Sequence, residues 1–360
     1  MQIKVAVVGL GKMGISHLSI LNALNAFDVV AMCDSSRMVG KILEKYTGIA
    51  FVEDYDQLLA RPDLEAVVIS TPTALHAAMV RKALDRGLHV FCEKPLTLSG
   101  EQASELASLA ESKGLVAQVG YHNRFIGTFH EAQQLIAGGA LGQIRHVLAE
   151  AYGPVVLRPS KATWRSTPEQ GGGCLYDYAA HPLNLLNWMF GVPEACLSSD
   201  LKSTYSAQVE DEVYAMLRFP GATSAHLSVN WSDPSVRKMT TRLSIWGEHG
   251  KLYVDRQELQ LFLDPGATVP ADYEPGWNVK YITDLTPPVS FYLRGEEYSA
   301  QLESFGEAIA EKKAAKRNDF RSAAETDLSI EMIRAGRVLN LPEARAPEKP
   351  RPLLRRVFGR

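Results

Sequence analysis

A strand that runs into spaced glycines and then directly into a helix has few ways to fold, and this chain begins with one: residues 4–17 read "KVAVVGLGKMGISH". Gly9, Gly11 and Gly14 form a G-x-G-x-x-G with Lys12 and Met13 between them. The first glycine allows a tight turn, the second lets backbone approach a pyrophosphate, and the third lets helix and strand pack closely, with the helix N-terminus facing the phosphates. The next apolar run, "DVVAMCD", ends at Asp34, twenty residues past Gly14, where a ribose-binding acid is expected. Together these features predict a dinucleotide site; a glycine turn without a ligand is the plainer alternative.

Asp34 would accept hydrogen bonds from ribose hydroxyls and repel a 2′-phosphate, which favours NAD. Ser35, Ser36 and Arg37 follow at once, and an arginine there keeps NADP open. Further apolar runs, "EAVVIST", "HVFCEKP" and "LVAQVGY", lack period-two alternation. Such strands are covered on both faces, so residues 1–121 are expected to form an α/β domain with a doubly wound parallel sheet. A dinucleotide lies across the carboxyl ends of such strands. Thr71 and Pro72 are therefore expected to line its nicotinamide half, with His76 in reach or simply on a helix face. Glu93 and Lys94 end the following strand at the same edge, either as a solvated strand end or as part of the site. A lysine there can hydrogen-bond a substrate hydroxyl or carbonyl.

Past Tyr121 the pattern changes. "VYAMLRFPGATSAHLSVNW" reads as two strands about a Pro-Gly turn, and "TTRLSIWGEHGKLYV" as two more about a turn at Gly247–Gly250. Residues 122–345 are expected to be an α+β domain on an antiparallel sheet, with helices near 171–190, 303–313 and 327–338. Residues 346–360 hold five basic residues, one acid and three prolines, and read as a frayed basic tail or as an arm that meets a partner.

The stretch "GGGCLYDYAAHPLNLLNWMFG" brings three glycines, taken as a flexible approach, before Asp177 and His181 at i and i+4. On one helix these two side chains share a face. Moving a hydride from an alcohol carbon needs a base for the hydroxyl proton, and a histidine titrates in the right range. His181 fits that role, with Asp177 orienting it or holding a neighbouring hydroxyl. A surface pair is the alternative; a metal site built on Cys174, Asp177 and His181 lacks a second ligand pair.

The glycine pattern, "EKP" and "GGG…D-x-x-x-H" occur here in the order seen in the Gfo/Idh/MocA oxidoreductases, which the chain resembles over residues 1–345. The resemblance implies a Rossmann domain, a second domain with an open-faced, mostly antiparallel sheet, and a homodimer or homotetramer built through that sheet. It puts the catalytic lysine at Lys94, the motif aspartate at Asp177 and the acid/base histidine at His181. Many family members carry a substrate-binding aspartate three residues after that histidine; here the residue is Asn184, which argues against an inositol-like polyol. "YHNRF" matches a family segment in which Asn123 and Arg124 face the substrate. The implied substrate is a sugar or sugar derivative, with a dihydrodiol, a tetrapyrrole or an imine as alternatives. A non-catalytic dinucleotide sensor would have no use for Lys94 and His181 together. Arg124, Arg158, Lys161 and Arg165 suit an acidic substrate or a solvated loop.

Composition narrows the partners. A formal charge of -3 gives no reason to expect nucleic acid. No run approaches the roughly 18 apolar residues of a membrane span, and the four cysteines show no C-x-x-C spacing. These features lead us to expect a cytoplasmic protein with reduced cysteines.

Overall fold

The apolar runs of the first third become strands because each can bury both faces. In the computed structural model, which describes residues 2–158 and 163–336, these are β1 (Ile3–Val8), β2 (Phe27–Cys33), β3 (Ala50–Val52), β4 (Ala66–Ile69), β5 (His89–Cys92) and β6 (Ala117–Val119). They pair in parallel in the order β3-β2-β1-β4-β5-β6. The order reverses between β1 and β4, and a ligand crevice opens at such a reversal. Helices α1 (Lys12–Ala23), α2 (Arg37–Thr47), α3 (Tyr55–Leu59), α4 (His76–Asp85) and α5 (Gly100–Ser112) make the crossovers. Val5, Val7, Val67 and Val68 are fully buried between the two helical layers.

The second sheet holds β7 (Ile144–Tyr152), β8 (Ala195–Lys202), β9 (Glu212–Arg218), β10 (Ser224–Asn230), β11 (Arg242–Gly247), β12 (Gly250–Asp255), β13 (Glu258–Leu263) and β14 (Gly276–Tyr281). Its order is β14-β13-β12-β11-β7-β10-β9-β8, and only β7 and β10 run parallel. Alternation is clear: Val213, Ala215 and Leu217 are buried, while Glu212, Tyr214 and Met216 between them are not. Helices α6 (Gly127–Ala137) and α7 (Ala180–Phe190) cover the inner face. On the outer face Trp277, Val279 and Tyr281 stay exposed, so the sheet is open-faced as expected.

The helices after β14 depart from their expected bounds. Following the short α8 (Ile282–Leu285), α9 runs Glu296–Glu311 and α10 runs Phe320–Arg334. Each begins seven residues before its expected start. Glu296 and Glu297 suit the positive end of α9, and Asp319 caps α10 by accepting from Ser322 N at 2.9 Å. Both helices return to the first domain. Phe305 of α9 stacks with Phe27 and meets Phe91 edge-on, and α10 lies between α5 and α7. The basic tail at 346–360, the end of the expected helix at 335–338 beyond Gly336, and Lys161 lie outside the described residues. Cys33, Cys92 and Cys174 are buried thiols and Cys196 a half-buried one.

Candidate active site

The glycine turn and α1 build one wall. Gly9 has φ +88°, and a Cβ there would sit 2.8 Å from the Ser70 carbonyl. A Cβ on Gly14 would fall 1.7 Å from Gly9 O, whereas one on Gly11 would meet nothing within 4 Å. Two glycines are thus required by packing inside the protein, and the third leaves open space at the helix N-terminus. No side chain caps that end and no acid occupies its first turn, so its N–H groups stay available to an anion. Lys12 and Met13 start the helix there. Asp34 Oδ2 accepts from Leu10 N at 2.6 Å and Oδ1 from Ser36 N at 2.7 Å, tying the turn to the end of β2. Each carboxylate oxygen keeps a second lone pair for a ribose hydroxyl. Ser35 and Arg37 are exposed beside it, and Arg37 makes no ion pair among the described residues. These residues fit a dinucleotide.

At the end of β4, Ser70 Oγ donates to Gly9 O at 2.9 Å. Thr71 Oγ1 meets Met79 Sδ at 3.5 Å, and Pro72 leads into a short turn at Thr73–Leu75. His76 does not reach the crevice as expected. It is buried, with Nδ1 3.0 Å from Pro95 O and Nε2 2.9 Å from Thr71 O. Burial holds it below the ordinary histidine range, and the neutral ring has one N–H to donate to one of these two carbonyls.

Glu93 and Lys94, past the end of β5, form two contacts. Glu93 Oε1 lies 2.7 Å from Nε2 of the fully buried His17 on α1. Burial pushes this carboxyl up, but His17 and then Lys94 outweigh it and leave it below its ordinary range. Lys94 Nζ donates to Asp177 Oδ1 at 2.8 Å and to Asp177 O at 2.7 Å, joining the two sheets' territories.

The run Gly171–Gly173 is a packed surface and not a flexible approach. Gly173 (φ +105°) donates from N to Arg165 O at 3.0 Å, and a Cβ on Gly172 would overlap that same carbonyl group. A π-helical turn, Leu175–Ala179, then leads into α7. Asp177 and His181 make no hydrogen bond to each other: His181 Nδ1 is buried without a partner. The carboxylate therefore does not orient the imidazole; its oxygens go to Lys94 and, at 3.2 Å, to Arg165 Nε. Burial raises Asp177, but those two cations outweigh it and hold the carboxyl below its usual range.

His181 is 4% exposed and its Nδ1 is buried without a partner. Burial, then Lys94 and His122, push it well below the ordinary histidine range, so the ring is neutral near pH 7. Asn123 is buried with its Nδ2 unpartnered. Arg124, expected in the substrate cleft, is buried elsewhere: its guanidinium donates to Asn184 O at 2.9 Å and lies 5.5 Å from the Trp188 ring. Asn184 also turns inward, donating to Thr326 Oγ1 at 3.0 Å. Arg158 is exposed.

Sequence reading passed over three contributors. The His122 ring lies tilted, 5.0 Å from that of His181 and 4.7 Å from that of Tyr298, an α9 residue. Its pKa is pushed down to about 3, chiefly by burial. Glu210 Oε1 accepts from Leu175 N at 2.8 Å and so anchors the π-helical turn. His122 was legible as the middle of "YHNRF"; Tyr298 and Glu210 carry no local signal, because only the tertiary fold brings them here.

Known proteins share this fold and family. The model of an oxidoreductase family with an NAD-binding Rossmann fold matches residues 3–121, and the GFO/IDH/MocA C-terminal domain matches residues 129–253. An uncharacterized oxidoreductase of Schizosaccharomyces pombe is 32% identical over 305 residues, 79% of this chain and 82% of that one. The 1,5-anhydro-D-fructose reductase of Ensifer adhaerens is 31% identical over 202 residues, 55% of this chain and 60% of its own length. A solved levoglucosan dehydrogenase, in complex with NADH and levoglucosan, shares the fold at TM-score 0.81 and 22% identity, over 93% of this chain and 96% of that one. The glycine cradle, the acid after β2, the lysine after β5 and the buried histidine of α7 thus sit in a chain that belongs to the Gfo/Idh/MocA family of NAD-dependent oxidoreductases.

Proposed function

We propose that the protein moves a hydride between NAD and a carbon bearing a hydroxyl or ketone oxygen in a sugar or sugar derivative. The observation that carries this reading is the buried His181, its Nδ1 unpartnered, with the Lys94–Asp177 pair at the carboxyl edge of the parallel sheet. The sugar class is supported by the names of the relatives, a reductase of 1,5-anhydro-D-fructose and a dehydrogenase of levoglucosan.

Gly9, Gly11, Lys12, Met13 and Gly14 hold the pyrophosphate in this reading. Asp34, with Ser35 and Arg37 at its rim, holds the adenosine ribose; Thr71, Pro72, Glu93 and Lys94 border the nicotinamide. NAD, when bound, supplies the nicotinamide carbon that accepts the hydride in oxidation and returns it in reduction. Lys94 donates a hydrogen bond to the reacting oxygen and stabilises its developing negative charge. His181 takes the hydroxyl proton in oxidation and gives it back in reduction. Asp177 keeps Lys94 aimed into the cleft, and Asn123 offers its unpartnered amide N–H groups to the substrate.

We divide the chain into a cofactor domain, 1–121, and a substrate domain, 122–345, and assign its exposed sheet face to a homodimer or homotetramer. Trp277, Val279 and Tyr281 favour a protein partner there. The test of function is nicotinamide absorbance on mixing the protein and NAD, or separately NADP, with a panel of free sugars, sugar phosphates and nucleotide sugars. A rise with sugars and NAD is the expected result; turnover of dihydrodiols or imines alone, with every sugar silent, would overturn the sugar assignment.

A further inference from the structure

Asp177 stands between two cations. Lys94 Nζ takes Oδ1 at 2.8 Å and Arg165 Nε takes Oδ2 at 3.2 Å. One carboxylate is shared by both cations, and the second acid nearby, Glu93, lies on the Lys94 side, so Arg165 has no acid to itself among the described residues. Asp177 is 13% and Lys94 14% exposed in their side chains, and charge is screened less there than at an open surface.

Arg165 is also held in position. Its backbone carbonyl accepts from Gly173 N, and Gly172 is bare where a Cβ would strike that carbonyl. The glycine run therefore seats Arg165 against the start of the catalytic helix. Its guanidinium rests 4.5 Å from the Trp164 ring, which fixes its plane. A purely structural pair would use the guanidinium fork on both carboxylate oxygens. Here Nε alone is engaged, the side chain is 45% exposed, and neither Nη group has a hydrogen-bond partner among the described residues. A seated fork with two unused donors matches the planar oxygens of a carboxylate or the oxygens of a phosphate.

We propose that Arg165 is a specificity-determining residue and that the preferred substrate is an anionic sugar, bearing a carboxylate or phosphate that reaches the Nη groups while its hydroxyl meets Lys94 and His181. The inference rests on the sugar reading above and narrows it. Neutral sugars still enter, without this contact.

The experiment compares matched pairs: glucose against glucuronate and glucose 6-phosphate, and galactose against galacturonate. Binding to the protein–NADH complex is read by nicotinamide fluorescence, and kcat/KM is read with NAD. The expected result is a preference of about 10- to 100-fold for an anionic member, the range of a charged hydrogen-bonded pair. The carboxylate and phosphate arms identify which anion is read. In Arg165→Gln the ratio within each pair should fall to near one, and in Arg165→Lys, which keeps the charge without the fork, it should fall between. Because the ratio is the readout, any general loss through Asp177 cancels. Turnover of neutral members alone, or an anion preference that survives in Arg165→Gln, overturns the inference and leaves the sugar reading standing. Silence on every pair, in binding and turnover alike, overturns the inference and leaves the sugar reading to the wider panel of free sugars, sugar phosphates and nucleotide sugars.

Discussion

Lys94, at the end of a strand in the parallel sheet, and Asp177, in the π-helical turn before α7, meet at 2.8 Å across the boundary between the two sheets' territories. Each positions the other, and neither is fully exposed to water. Asp177→Asn should leave Lys94 facing a neutral amide, costing about 2 kcal/mol of stability and lowering kcat by roughly 10²-fold. NADH affinity, read by fluorescence titration, should change little, because the proposed function puts Asp177 on the substrate side. Unchanged turnover in this variant would remove the pair from the mechanism.

His181→Asn should retain NAD binding and lose turnover by about 10²- to 10⁴-fold. In the intact protein the imidazole is held well below the ordinary histidine range, chiefly by burial. The neutral base therefore survives acidification, and the acid limb of kcat/KM for oxidation should lie below pH 6.5. A limb at or above 6.5 would contradict a buried neutral base.

The same burial sets the dependence of stability on pH. His76, His122 and His181 are all depressed in the folded protein, chiefly by burial. Below about pH 6.5 the unfolded chain binds protons at these sites while the folded chain does not, so stability falls as pH falls; above 6.5 the contribution is constant. Each such group costs about 1.4 kcal/mol per pH unit inside its window, which for His122 extends down to about pH 3. Thermal unfolding at pH 6.5 and 5 avoids most carboxylate titration. The midpoint of His122→Phe should drop less between these two values than that of the parent; an equal drop would mean that His122 is protonated in the folded state.

Gly11→Ala and Gly14→Ala separate ligand space from packing space. The added methyl at residue 11 meets no protein atom within 4 Å, whereas at residue 14 it overlaps Gly9 O. Gly11→Ala should unfold at the parent temperature and lose NAD affinity by about tenfold or more. Gly14→Ala should lose stability as well, by about 2 kcal/mol or more. Equal unfolding temperatures for both would contradict this geometry.

Asp34→Ser tests the preference for NAD. Removing the carboxylate frees Leu10 N, removes repulsion of a 2′-phosphate and leaves Arg37 beside it. The ratio of NAD to NADP affinity should fall by about 10- to 100-fold, measured by titrating both reduced cofactors.

Much of this architecture was legible in the chain, for identifiable reasons. Apolar strands without alternation can only be covered on both faces, and the glycine spacing before α1 admits one turn. Lys94 and His181 stand out in the sequence because strand ends and a lone D-x-x-x-H on an apolar helix are local patterns. The errors were tertiary. Arg124 and His76 carry the polarity of site residues yet turn to backbone carbonyls within the fold. The i, i+4 rule pairs Asp177 with His181, whereas its carboxylate oxygens go to Lys94 and Arg165, 83 and 12 residues away in the chain. Tyr298 and Glu210 reach the site from more than 100 and about 30 residues after Asp177, respectively, distances over which sequence periodicity carries no information.

Helix α10 gives the chain an order of events. Asp327 Oδ2 accepts from Thr97 N, three residues past Lys94, and Thr326 and Ser329 accept from Asn184 and Asn187 of α7. One late helix thus supports both the loop behind the lysine and the helix that carries the histidine. A chain emerging from the ribosome has exposed Lys94, Asp177 and His181 well before residues 320–334 have been made. During that interval these three side chains exist without their common support, and a truncation before Asp319 is expected to keep all three and lose turnover.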